Sequence, residues 1–250
     1  MRQSTGVFGT MVQWVRSLLF IMQMYVVMAV MALAITPLAL FRIDFAYLAV
    51  RKFCLWVRFS ARIIIGLDSE VRGTVPAGEV LICAKHQSFF DILILCSVIE
   101  RPRFVMKRQI LMLPIVGYYA RRIGCIPIDR GKGSIAIQQM LDGLAEGPPD
   151  VGPLIIYPQG TRVAPGAKRR YRIGSAVLYD QFASDCVPVA VNVGLFWPKA
   201  AVMRRKGVAV VEFLPPIEAG LPQEKFMARL EEVIESHSDR LMREAGCMEV

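Results

Sequence analysis

The sequence predicts an α/β fold: a mixed, partly parallel central sheet flanked by helices, with a membrane-associated two-helix hairpin at its N-terminus. Two observations carry this reading. Beyond Gly66, short apolar strand-like runs alternate with longer helical stretches, as expected of strands joined by helical crossovers. Before it, residues 17–41 contain no charge, and only Ser17, Gln23 and Thr36 are polar. As a helix that stretch would be about 37 Å long, against a hydrocarbon core of ~30 Å. The run is too long for a signal peptide, and no small-residue cleavage site closes it.

In chain order, residues 11–36 read as a first membrane helix. A break is expected at Thr36-Pro37, because a residue before proline is steered away from helical backbone. Residues 43–67 read as a second helix carrying Arg51, Lys52, Arg58 and Arg62. Arg51, Arg58 and Arg62 are spaced seven and four apart, which places them on one face. Such a helix is expected to lie in the interface, its cationic face towards lipid headgroups. Arg2 and Arg16 precede the first segment, and Arg42, Arg51 and Lys52 follow it. With both flanks basic, the positive-inside rule keeps both on the cytoplasmic side. A re-entrant or half-buried hairpin satisfies that condition, whereas a single crossing does not. The expected division is therefore a hairpin over 1–67 and an α/β domain over 68–250.

Within the second part the expected strands are 79–85, 103–106, 123–128, 153–157, 186–193 and 207–214. The expected helices are 89–99, 109–121, 133–145, 170–182 and 222–244. The Gly- and Pro-rich stretch 146–153 reads as a loop feeding the next strand. Phe226, Leu230, Val233, Ile234, His237 and Leu241 form one stripe of the last helix, which makes His237 a packing or edge residue.

Composition narrows the class. With 250 residues, 54% of them hydrophobic, and a mean hydropathy of +0.44, the chain is too apolar for an ordinary cytosolic enzyme. The net charge of +9 is carried beside the membrane segment and in polar loops. Anionic phospholipid headgroups or a phosphorylated substrate explain that placement better than nucleic acid does. Six scattered cysteines without Cys-x-x-Cys spacing read as buried thiols in a reducing compartment. With two histidines and no cysteine pairs, no metal site is expected.

Chemistry concentrates in three places. The run Lys85-His86-Gln87-Ser88-Phe89-Phe90-Asp91 puts a histidine directly after an apolar strand and a carboxylate five residues on. An imidazole–carboxylate pair is the base half of a serine-hydrolase triad. No Gly-x-Ser-x-Gly nucleophile accompanies it, so the hydroxyl it activates would belong to the substrate. Ser88 and Asp91 also form a capping-box pattern, and that reading is compatible with the first: a helix N-terminus would hold Asp91 rigidly beside His86. The second place is Tyr157-Pro158-Gln159-Gly160-Thr161-Arg162, a strand ending in a turn. Glycine there permits close approach, threonine offers a hydroxyl, and arginine offers a fork matched to phosphate oxygens. The third is Gly124 to Arg130, where the alternative is a solvated Asp129–Arg130 turn. Together with Lys107, three strands deliver basic residues at their C-terminal ends, where open α/β sheets bind ligands.

These pieces, in this order, resemble the glycerolipid acyltransferases that acylate lysophosphatidate (1-acylglycerol-3-phosphate O-acyltransferases). The first block of that family is the His86…Asp91 pair. The second resembles Gly124 to Arg130, preceded by Lys107, Pro114 and Gly117. The third, usually Phe-Pro-Glu-Gly-Thr-Arg, reads here Tyr157-Pro158-Gln159-Gly160-Thr161-Arg162. The fourth is the apolar run Val187-Pro188-Val189. The resemblance spans roughly residues 60–215. Two departures stand out: Gln159 removes a negative charge, and Tyr157 adds a hydroxyl that looks harmless. The basic run from Lys168 to Arg172 reads as a membrane-facing or solvated loop.

The resemblance implies a glycerolipid acyltransferase-like fold and acyl transfer from a thioester, acyl-CoA or acyl carrier protein, to the sn-2 hydroxyl of 1-acylglycerol-3-phosphate. His86 would be the general base and Asp91 its orienter. Arg130 and Arg162 would hold the phosphate, with Lys107 a weaker third. Backbone N–H groups around Gly160 and Thr161 would serve phosphate or oxyanion, while Gln159 and Pro188 are motif positions. No cofactor is implied, because imidazole and a thiolate leaving group suffice. A soluble donor places the site on the cytoplasmic face of a membrane, a bacterial inner membrane by the likeness of the hairpin. Two other expectations stand beside this one. One is another acceptor, such as a lyso-ornithine lipid or other lysophospholipid; an acceptor lacking phosphate would not depend on Arg130 and Arg162. A non-catalytic lipid-binding scaffold is motivated by Gln159.

Overall fold

The computed structural model describes residues 7–146 and 152–247. Arg2 and the centre of the Gly- and Pro-rich loop, 147–151, lie outside them. Helix α1 spans Val7–Phe41 and packs antiparallel on α2, Ile43–Ile65. The expected break at Thr36-Pro37 does not occur: Pro37 lies inside α1, and the chain turns instead at Arg42, whose backbone is extended. Proline removes one helical donor, but α4 (Pro114–Arg122) braces the last turn. Tyr119 shares a 3.1 Å hydrogen bond with Thr36, and Arg122 donates to the carbonyls of Ala39 and Leu40. Those are among the carbonyls that a helix C-terminus leaves without partners.

Helix α2 ends at Gly66, which takes the left-handed conformation (φ 71°) and donates to the Ala61 carbonyl. It therefore stops short of residue 67, and Leu67 opens a strand that the sequence does not announce, β1 (Leu67–Arg72). The segment Leu-Asp-Ser-Glu-Val-Arg is charged and only partly buried. Nothing local distinguishes it from a loop; parallel pairing with β7 (Gly207–Phe213) makes it an edge strand.

The remaining strands are β2 (Leu81–Ala84), β3 (Arg103–Lys107), β4 (Ile126–Ile128), β5 (Leu154–Ile156) and β6 (Cys186–Val191). The seven strands lie in the order β1-β7-β6-β2-β5-β3-β4. Strands β2 to β6 run parallel, and among these strands only the β6–β7 pairing is antiparallel. The sheet is mixed and partly parallel, as expected. Pro188 sits inside it, opposite Cys83 on β2. Its carbonyl accepts from Leu214, one residue past the end of β7. The N–H that proline lacks would point to that same side, so the ladder loses little there.

Alternation along the strands builds two cores. Ile82 and Ala84 face one side with Ile155, Val187 and Val189; α2, α3 (Phe90–Val98) and the inner residues Phe20 and Met24 of α1 cover it. Leu81 and Cys83 face the other, under α5 (Ser134–Ala145), α6 (Gly174–Phe182) and α7 (Gln223–Glu244). The hairpin thus shares a core with the sheet. Each large side chain fully buried this way contributes roughly 1.5–3 kcal/mol.

The outward side of α1 is apolar and exposed, from Phe8 through Leu18 and Leu33 to Phe41. The helix is long and apolar enough to cross a membrane. Arg51 and Arg62 are exposed on α2, but Arg58 is not the headgroup contact its spacing implies. It turns inward and donates to Ser69 (2.8 Å) on β1 and Ser97 (2.9 Å) on α3. Shared helical face does not mean shared environment, because β1 and α3 pack over that part of α2.

The expected helix over 109–121 resolves into a 3-10 turn, Arg108–Met112, followed by α4. The helix expected from residue 170 begins at Gly174. Residues 170–173 remain non-helical and run beside the motif turn, with Arg172 N–H donating to the Pro158 carbonyl at 2.8 Å.

Candidate active site

Because β2, β5, β3 and β4 are neighbours and parallel, their C-terminal ends share one edge of the sheet. His86 follows β2, Tyr157 follows β5, Lys107 ends β3 and Arg130 follows β4. Residues so far apart along a chain cannot be brought together by local spacing alone; the crossovers do it here.

The pairing expected from the first motif is present. His86 Nδ1 lies 2.9 Å from Asp91 Oδ1 and 3.2 Å from Oδ2. Asp91 is completely buried, and His86 nearly so. Asp91 Oδ2 accepts from the N–H groups of Gln87 (2.9 Å) and Ser88 (2.8 Å), while Ser88 Oγ accepts from Phe90 N–H (3.1 Å). The capping and pairing readings are therefore the same structure. Four donors, counting the Tyr157 hydroxyl at 3.2 Å from Oδ1, fill the acceptor capacity of a carboxylate. With Nδ1 committed to a carboxylate that can only accept, the neutral ring carries its proton there and leaves Nε2 as the basic nitrogen.

Tyr157 is less incidental than its sequence reading. Its ring stacks on His86 with centroids 3.9 Å apart and planes 17° from parallel. Burial, then the Asp91 charge, holds its hydroxyl well above the ordinary phenol range, so it remains a donor.

The turn that follows is built from its sequence. Gly160 N–H donates to the Tyr157 carbonyl at 2.8 Å, with Pro158 at the second position and Gly160 at the fourth, the places those residues favour in β-turns. Gly160 takes φ 67°, and a Cβ there would lie 2.8 Å from Arg172 Nε. Its N–H is thus consumed by the turn and is not open to phosphate or oxyanion, contrary to expectation. The N–H of Thr161 has no acceptor among the described residues. Val163 N–H donates to the His86 carbonyl at 2.8 Å, tying the turn to the histidine.

The basic residues divide. Asp129 does not neutralise Arg130: it pairs with Arg108 (3.1 Å) and Gln139 (3.0 Å). Arg130 is left without a carboxylate among the described residues, its Nε buried and unpartnered. Burial and the nearby Arg172 guanidinium both push its pKa below the usual value. Arg162 is half-buried and makes no ion pair among the described residues. Lys107 is exposed at the end of β3. Pro188 lies within the sheet, away from its C-terminal edge, so its part is structural. His237, far along α7, donates from Nδ1 to the Val233 carbonyl of its own helix at 2.8 Å and takes no part.

Three residues are not legible in the sequence as site components. Arg172 belongs to a run of charges that reads as solvated, yet it abuts Gly160 and Arg130. Lys85 is buried against Glu235 of α7, and Gln159 Nε2 donates to that same Glu235 at 3.2 Å. The order Lys85-His86 is visible along the chain; a partner 150 residues away is not.

Comparison with known proteins agrees with this geometry. The chain is 27% identical over 238 residues to the 1-acyl-sn-glycerol-3-phosphate acyltransferase of Pseudomonas aeruginosa, covering 93% of this chain and 92% of that one. It is 28% identical over 188 residues to the Saccharomyces cerevisiae protein of the same name, 72% of this chain and 62% of the other. The crystal structure of the 1-acyl-sn-glycerophosphate (LPA) acyltransferase PlsC from Thermotoga maritima superposes with a TM-score of 0.74 at 19% identity, over 91% of this chain and 97% of that one. At that identity the likeness is one of fold. Residues 68–192, half of the chain, match the acyltransferase family model; the chain belongs to the acyltransferase family.

Proposed function

We propose that the protein transfers an acyl group from a thioester to the sn-2 hydroxyl of 1-acylglycerol-3-phosphate, forming phosphatidate. The observation that carries this reading is the buried His86–Asp91 pair, 2.9 Å apart, at the sheet edge that also presents the uncompensated Arg130. His86 Nε2 takes the proton of the acceptor hydroxyl as its oxygen attacks the thioester carbonyl carbon. The tetrahedral intermediate collapses with cleavage of the C–S bond, and the imidazolium returns its proton to the departing thiolate. No acyl-enzyme forms and no metal is required. Asp91 orients the ring and stabilises its charged form. Arg130 and Arg162 hold the phosphate, Lys107 contributes from the rim, and the free N–H of Thr161 faces phosphate or oxyanion.

The hairpin of α1 and α2 anchors a catalytic part, from β1 onward, at headgroup level on the cytoplasmic face, where a soluble donor meets a lipid acceptor. The relatives named above are described as acting on this acceptor, which supports phosphatidate as the product. Either acyl-CoA or acyl carrier protein fits the mechanism as donor. The test is thiol release from acyl-CoA by purified protein in detergent, with and without lysophosphatidate, for wild type and His86→Ala. Release that requires lysophosphatidate and vanishes in the variant is expected. Absence of turnover with both donors, or equal turnover of a phosphate-free lyso-lipid, rejects this acceptor.

A further inference from the structure

Glu235 lies on α7, beyond the residues matched by the family model. It holds together three segments of the site. One carboxylate oxygen pairs with Lys85, the residue before His86, whose side chain is 3% exposed. The other accepts from the Tyr171 hydroxyl at 2.8 Å and from Gln159 Nε2 at 3.2 Å. Tyr171 precedes Arg172, and Gln159 is the third residue of the turn that leads to Arg162. A single carboxylate thus ties down the end of β2, the motif turn and the non-helical segment beside it. Gln159 is 1% exposed, and its Oε1 is buried without a partner. The amide therefore gains only the bond it donates.

We infer that Glu235 is a positioning residue for the acceptor-binding turn, 159–162, and that Gln159 is neutral because Glu235 supplies the negative charge of this cluster. A carboxylate at 159 would stand where the amide now meets Glu235 at 3.2 Å, with Lys85 the buried ammonium beside it and the exposed Lys168 and Arg169 lining the same cleft. Like charges so close, with position 159 buried and Glu235 only part-exposed, cannot both ionise comfortably. The departure from glutamate in the third motif then marks relocation of a charge rather than loss of function. Removing Glu235 instead leaves the Lys85 ammonium buried and unpaired, which is the costly half of a broken buried pair.

The inference rests on acyl transfer to lysophosphatidate as the reaction. Its test is a charge swap in full-length protein, comparing wild type, Gln159→Glu, Glu235→Gln and the double variant. For each, kcat and KM for lysophosphatidate are measured at saturating donor, and melting temperature reports folding. Each single variant is expected to raise KM about tenfold with a smaller change in kcat, and the double variant to return to within about threefold of wild type. Rescue of KM by the swap is what a merely structural pair does not require. Losses that multiply in the double variant overturn the inference, as does a Glu235→Gln enzyme that melts lower but keeps its KM. Wild-type protein that turns over no lysophosphatidate rejects the reaction itself, and the positioning role with it.

Discussion

The ring of Tyr157 lies stacked on that of His86, 3.9 Å between centroids, while its hydroxyl donates to the carboxylate that orients the same histidine. The first residue of the third motif therefore clamps both members of the first. It fixes the imidazole plane by packing and the carboxylate by a hydrogen bond.

Tyr157→Phe keeps the stacking and removes only the bond to Asp91 Oδ1, which still accepts from His86. The expected cost is about 1 kcal/mol of stability and a change in kcat of less than about threefold. Chemical denaturation and steady-state rates check both. Tyr157→Ala, which also removes the ring, is expected to lower kcat by more than about tenfold.

His86→Ala removes the base and is expected to lower kcat by about 10²–10⁴-fold with little effect on KM. Asp91→Asn loses the charge opposite the imidazolium and sets an NH2 donor against donors, either His86 Nδ1–H and the Tyr157 hydroxyl or the two backbone N–H groups. A comparable loss of kcat is expected, together with about 1–3 kcal/mol of stability. Rate assays with urea unfolding separate the two effects; an Asp91→Asn variant of wild-type rate excludes the orienting role.

Arg130 has no carboxylate partner among the described residues and lies in a half-buried place. Truncating it should leave stability unchanged or improved, because burial of an unpaired cation is unfavourable. KM for lysophosphatidate should rise about 10–100-fold in Arg130→Ala and Arg162→Ala, and only a few-fold in Lys107→Ala. Unequal effects in the reverse order would move the phosphate towards β3.

Gly160→Ala meets two obstacles: a positive φ and Arg172 Nε 2.8 Å from the new methyl group. About 1 kcal/mol of stability should be lost to the backbone alone, and displacement of Arg172 should raise KM for the acceptor. Melting temperature and KM together test this, and an unshifted KM would show Arg172 to be remote from the phosphate.

Leu18 and Leu33 lie on the exposed apolar side of α1. Aspartate at both places charges the lipid-facing surface at a cost of several kcal/mol of insertion free energy, roughly 2.5–3.5 kcal/mol per charge at the bilayer centre. Flotation with anionic vesicles should recover less of the variant than of wild type. Equal recovery would assign membrane association to another surface.

The sequence by itself determined what short-range order encodes. The turn at residues 157–160 follows from proline and glycine at their preferred places, the His86…Asp91 spacing from one strand end running into one helix start, and the apolar runs from a sheet buried on both faces. Tertiary packing decided the rest. Strand β1 exists because β7 offers an edge, α1 continues through Pro37 because Tyr119 and Arg122 hold its last turn, and Arg58 turns inward because β1 and α3 lie over it. Arg130 has no carboxylate among the described residues because Asp129 found Arg108 instead. The carboxylate that answers Gln159 comes from Glu235, 76 residues further on. Propensity and spacing act over a few residues, whereas the pairing of buried charges depends on which elements the folded chain lays side by side.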